Sequence, residues 1–117
     1  MSQNNQISDP QNIVSNIVGK KIYLEKMASP MIDVVKEMGA IEMTYGTKLI
    51  WLIDCVDENR LIKTLQELNQ QGFLFEGGSA GYSAADIFAL LLEKKNLNGG
   101  FKEVKWRGPV DWFIIER

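Results

Sequence analysis

The chain has 117 residues, enough for one domain that buries about two thirds of its unfolded surface and too few for two. Apolar residues make up 45% and charged residues 24% of it, the balance of a folded protein and not of a disordered one. The net charge of −2 is unevenly spread: residues 31–90 carry four basic against nine acidic residues, net −5, and residues 91–117 carry six basic against four acidic, net +2, which excludes the concentrated cationic surface that nucleic acids require.

The longest apolar stretches, Leu49 to Ile53 and Ile87 to Leu92, fall far short of the roughly 20 residues of a membrane-spanning helix. The opening MSQNNQISDPQN has neither the cationic start nor the apolar stretch of a secretory signal. Cys55 is the single cysteine, so no internal disulfide can form and a cytoplasmic location is expected. The whole chain, 1–117, is expected to form a single domain.

The polar segment 1–8 has no periodicity and is expected to be disordered. A capping Asp9, Pro10 and the stop at Gly19 then frame a helix, in which Ile13, Val14, Ile17 and Val18 share a face. A strand would also fit these β-branched residues. Ile22 to Met27 reads as a strand, and Ser29-Pro30 opens a second helix whose Met31, Val34, Val35 and Met38 form a stripe closed by Gly39. Ala40 to Tyr45 and Leu49 to Val56 read as a hairpin around Gly46-Thr47-Lys48. The run LIWLIDCV is apolar on both faces, so it is expected to be a central strand covered on each side.

Asp57 caps the most amphipathic helix, with Leu61, Ile62, Leu65 and Leu68 on one face and Gly72 at its end. Leu49, Trp51 and Ile53 are expected to share one core with Leu61, Leu65 and Leu68. Phe73 to Glu76 is a short strand, and Ser83 with Asp86 forms a capping box for a helix running to about Lys95. Phe101 to Trp106 and Val110 to Glu116 close the chain as a hairpin around Gly108-Pro109. The expected class is α+β: an antiparallel sheet with helices packed on it, built on a ferredoxin-like βαββαβ core from Ile22 to Glu76 with an added helix and C-terminal hairpin.

No histidine is present, which removes the usual general base and metal ligand. Cys55 lies in an apolar strand without a histidine to activate it, so a core role is expected, and neither an enzyme, a cofactor nor a metal is expected. Asp54, Asp57 and Glu58, joined by Glu76, lie near strand and helix ends and are the candidate partner-binding residues. The stretch after Glu76 offers Gly77, Gly78, Ser79 and Gly81 as a candidate ligand-binding loop at a helix N-terminus, although neither a GK[ST] ending nor a GxGxxG spacing is present. Its other reading is a connection in which glycines supply unusual backbone angles.

Apolar residues surround the helix from Ala84 to Leu92, and Trp106, Trp112, Phe113, Ile114 and Ile115 crowd the last hairpin. Both exceed what one small core requires, so a homodimer or another protein interface is expected. The βαββαβ order, with the strand LIWLIDCV feeding the helix DENRLIKTLQEL, resembles small regulatory modules of the ACT or PII-like kind. That resemblance is one of fold; it implies a small-ligand-sensing regulatory domain and no particular site residues. The leading functional expectation is a non-catalytic protein-binding protein, an inhibitor or immunity-type partner of a basic toxin or nuclease, with no nucleic-acid or membrane partner. The ligand sensor is its alternative.

Overall fold

Asn12 sets how the ordered chain begins. Its backbone lies in the left-handed region at φ 60°, its N–H donates to the carbonyl of Lys26 at 2.8 Å, and its side-chain oxygen accepts from Ala28 N at 2.9 Å. This conformation stops a helix from starting at Asp9-Pro10, and the residues after it form a strand. The computed structural model describes residues 9–78, 82–97 and 99–117; the expected disordered start, 1–8, lies outside them.

The strand β1 (Ile13–Val18) replaces the helix expected here and forms a hairpin with β2 (Lys21–Glu25). After α1 (Ser29–Glu37) comes a second hairpin, β3 (Ile41–Tyr45) and β4 (Lys48–Asp54), and β4 pairs antiparallel with β2. The helix α2 (Glu58–Gln70) leads to β5 (Leu74–Glu76), and α3 (Ala84–Lys94) leads to β6 (Lys102–Trp106) and β7 (Trp112–Glu116). The result is an α+β fold: one mixed seven-stranded sheet in the order β3-β4-β2-β1-β5-β6-β7, with three helices.

This order departs from the ferredoxin-like one. There β5 would lie directly against β2; here β1 stands between them, parallel to β5. The added helix and hairpin are present, and β6 extends the sheet by pairing parallel with β5.

All three helices feed one apolar cluster. Val14, Ile17, Ile22, Leu24, Trp51, Ile53 and Phe75 of the sheet meet Val35 of α1, Leu61, Leu65 and Leu68 of α2, and Ala85, Phe88 and Leu92 of α3. Phe75, Phe88 and Phe101 form its aromatic centre, with ring centroids 4.5 to 5.2 Å apart, a spacing at which aromatic pairs add to plain area burial. Leu49, expected in this core, is 49% exposed: its partner across the hairpin is Thr44, near the edge of the sheet and short of the helices.

The helix boundaries follow local chemistry. Asp57 accepts from Arg60 N at 2.8 Å and caps α2, while Ser83 and Asp86 complete a reciprocal capping box for α3. Each satisfies backbone donors that a helix N-terminus leaves unpaired. Gly72, at φ 92°, then turns the chain from α2 into β5 in a conformation that glycine adopts without penalty.

Candidate functional site

Side chains alternate across a strand, so placing Val14, Leu24, Trp51 and Phe75 against the helices puts their neighbours on the opposite, helix-free face. Pairing carries Ile41, Met43 and Tyr45 of β3 onto that face opposite Leu52, Ile50 and Lys48 of β4. From β2 it receives Tyr23 and Glu25, and from the other half of the sheet Glu76, Val104 and Trp106. A bulge between Val14 and Asn16 brings Ser15 and Asn16 there as well, with Ser15 Oγ donating to the Tyr23 carbonyl at 3.3 Å.

The face is concave. A groove of about 550 Å³ is lined by Ile13, Ser15, Asn16, Glu25, Lys26, Lys48, Glu76, Trp106, Gly108 and Pro109. It lies over the boundary between β1 and β5, with the β6–β7 turn as one wall and Glu25 and Lys48 as the other. An adjoining hollow of about 370 Å³ shares Asn16, Glu25 and Lys48 and adds Val18, Tyr23, Tyr45 and Ile50. On the other side of Trp106, Gly77 and Gly78 border a third hollow of about 330 Å³ together with Lys105.

The charges within the groove are not equivalent. Lys48 is 3.1 Å from Glu25, and Lys26 is 3.7 Å from Asp9. Glu76 has no hydrogen bond or ion pair among the described residues. Burial, with the nearby negative charge of Glu25 second, pushes its carboxyl above the usual glutamate value, against the opposing pull of Lys48 and Lys26.

The four expected partner-binding acids therefore fall in two places. Asp54 is exposed at the end of β4, Asp57 is used as the cap of α2, and Glu58 lies in that helix's first turn. Glu58 is 3.0 Å from Lys94 and 3.8 Å from Lys95; the Lys94 hydrogen bond holds its carboxyl below the usual range. Glu76 stands apart from these three, in the groove. Of the candidate ligand-binding loop, Gly77 and Gly78 reach the edge of the third hollow, and Ser79 and Gly81 lie outside the described residues.

Gly77 is fixed by its surroundings. Its N–H donates to the Val104 carbonyl at 2.9 Å, and a Cβ there would collide with the carboxylate of Glu103. Glu103 is itself buried and ion-paired at 3.0 Å with Arg117, which also reaches Asp86 at 3.2 Å. This network ties the start of the glycine-rich loop to the N-terminus of α3. Cys55 is buried beneath β4, its thiol donating weakly to Thr64 Oγ1 at 3.9 Å, and burial raises its pKa. A thiol so placed is a poor nucleophile.

Trp106 was expected only as one of the bulky side chains of the last hairpin, and Glu25 and Lys48 were not singled out from the sequence. Their only sequence signal is alternation: Tyr23 and Glu25, or Lys48 and Ile50, read as the outward set of ordinary strands. Five strands must be placed side by side before they meet. Among the described residues, no three His, Cys, Asp or Glu side chains are grouped to hold a metal ion, and no helix is long and apolar enough to cross a membrane. Compared with known proteins, the chain matches no family model, no curated protein and no solved structure.

Proposed function

We propose that this chain is a non-catalytic protein-binding module that docks a basic partner on the helix-free face of its sheet. The carrying observation is the composition of that face. Tyr45, Ile41 and Val18 are 75%, 59% and 53% exposed beside a groove holding Trp106 and Glu76, the latter without a hydrogen-bond or ion-pair partner among the described residues. Aromatic and aliphatic side chains around a recess are what protein interfaces use as anchors, and a sheet face left uncovered by helices supplies them on a broad surface. That carboxylate favours a cationic partner. An inhibitor or immunity-type role against a basic toxin or nuclease is the setting that suits a small blocking protein of this kind. The acidic rim expected at Asp54, Asp57 and Glu58 is the weaker candidate surface, because Glu58 is already neutralised by lysines and Asp57 caps a helix.

Capture from the native host with wild-type chain, Tyr45→Lys and Leu90→Lys tests the reading. Leu90 is a matched control, 59% exposed on α3. Loss of one basic partner with Tyr45→Lys and its retention with Leu90→Lys, both variants melting like wild type, is the expected result. An acidic partner, or one that Leu90→Lys alone removes, overturns it. Recovery of the chain alone, as a dimer, would make a second copy the occupant and likewise overturn the basic partner.

The small-ligand sensor remains the second reading, favoured by one observation: Gly77 and Gly78 share a hollow with Trp106 next to the main groove. A metabolite that raises the melting temperature of wild type, but not of Trp106→Ala, would put this reading first.

A further inference from the structure

From the charge pattern of the groove we infer that it is a receptor for a single cationic side chain, arginine or lysine, seated between the Glu76 carboxylate and the Trp106 indole. The inference rests on the docking reading and names the partner group that enters the groove. Four charged side chains line the cavity, and three already have partners: Lys48 holds Glu25, and Lys26 holds Asp9. Only Glu76 lacks one among the described residues. It faces Val104 across the β5–β6 ladder, so Trp106, two positions further along β6 on the same side, stands beside it.

The aromatic side chains of the protein make the same point. Lys36 sits 5.7 Å from the centre of a Trp51 ring, Arg107 4.5 Å from Phe113, and Arg117 5.6 Å from Phe101. No described cation covers Trp106, although it lines the groove. A guanidinium or ammonium entering there gains a charge-assisted hydrogen bond to Glu76 and the negative face of an indole together. Glu76 is also the group that benefits most: burial and Glu25 disfavour its charge, and an incoming cation reverses that balance. An anion fits less well, since both lysines would have to leave their carboxylates while Glu76 repelled the newcomer. A cavity of about 550 Å³ falls within the range of small-molecule sites and accommodates a long side chain with its flanking backbone.

The test uses the capped single residues N-acetyl-arginine methylamide, N-acetyl-lysine methylamide and the neutral arginine analogue N-acetyl-citrulline methylamide. The readout is the ¹H–¹⁵N signal of the Trp106 indole, assigned by its disappearance in Trp106→Phe. Saturable shifts are expected with the arginine and lysine probes, with citrulline at least about tenfold weaker. Glu76→Gln should reduce arginine to the citrulline level while leaving the other two indole signals in place as a check on folding. Equal binding of citrulline and arginine, undiminished binding by Glu76→Gln, or no saturable shift would each overturn the inference. If the probes fail while Tyr45→Lys still loses the partner, the docking face stands and the cation receptor alone falls; if the probes bind while Tyr45→Lys keeps the partner, the reverse holds.

Discussion

Glu76 is held at a cost to the fold. Burial first, and Glu25 second, raise its pKa above the ordinary 4.5, so the folded chain binds this proton more tightly than the unfolded chain does. Stability then falls as pH rises from 4.5 through the raised folded value, above which the penalty is fully present. Glu76→Gln is expected to melt higher than wild type at pH 7 and to lose that advantage by about pH 3, where the carboxyl is protonated in both states. Thermal melts across pH check this, and a variant less stable at pH 7 would show that the carboxylate has a stabilising partner. Asp86 has the opposite sign. The Ser83 hydrogen bond lowers its pKa from 3.8, so its contribution is present above that value and fades as pH falls through the folded one. Gly77 is constrained by space: Gly77→Ala drives a methyl into the Glu103 carboxylate and should cost about 1–3 kcal/mol. Gly78→Ala meets only Ser83 Cβ, at 3.7 Å, and should be nearly neutral. Denaturant midpoints of the two variants make the comparison.

Among the elements, the packing of α2 on β4 supplies the clearest contrast. Leu65 is fully buried and Leu49 is 49% exposed, so Leu65→Ala should cost ~2–5 kcal/mol and Leu49→Ala less than about 1 kcal/mol. Equal midpoint shifts in denaturant would contradict the burial assigned to these two residues. The sequence made α2 legible because its stripe of leucines and its Asp57 cap agree, and α3 because Ser83 and Asp86 stand three apart ahead of an apolar run. The beginning misled for a specific reason. Val14 and Ile17 are three apart and should face opposite sides of a regular strand, but the bulge before Asn16 shifts the phase and turns both toward the helices. An interrupted strand thus imitates a helical stripe, and only the left-handed backbone of Asn12 settles which element forms. Taking residues 9–18 as a helix removed the strand that stands between β2 and β5, and with it the true sheet order. The groove was partly legible, since Glu76 was among the candidate acids. Of the four, only Glu76 lines the groove, while Asp57 and Glu58 belong to the start of α2, a placement that strand alternation alone does not reveal.

For the whole molecule, the location of the charges decides how association should respond. Asp57→Asn with Glu58→Gln keeps a competent helix cap and removes only the partly exposed ion pairs of Glu58 with Lys94 and Lys95, so the association rate should change by less than about twofold. Glu76→Gln acts inside the groove and should speed dissociation by about tenfold. Stopped-flow or surface-binding kinetics with the captured partner separate the two, and a large fall in association rate for the double variant would return the site to the β4–α2 end. The sheet itself is two consecutive blocks, β1 to β4 and β5 to β7, joined by a single strand pairing, β1 with β5, where Ile13 opposes Leu74 and Val14 opposes Phe75. During synthesis, the first block can therefore assemble while the ribosome is still making α2, and β1 must wait as a bare sheet edge until residues 74–76 emerge. An edge carrying Ile13, Val14 and Ile17 is a template for pairing with another chain, and nascent or truncated forms are where such pairing occurs. Chains ending before Leu74 should aggregate through that edge, so the strand that defines the centre of the finished sheet is also the point at which an unfinished one is most exposed to misassembly.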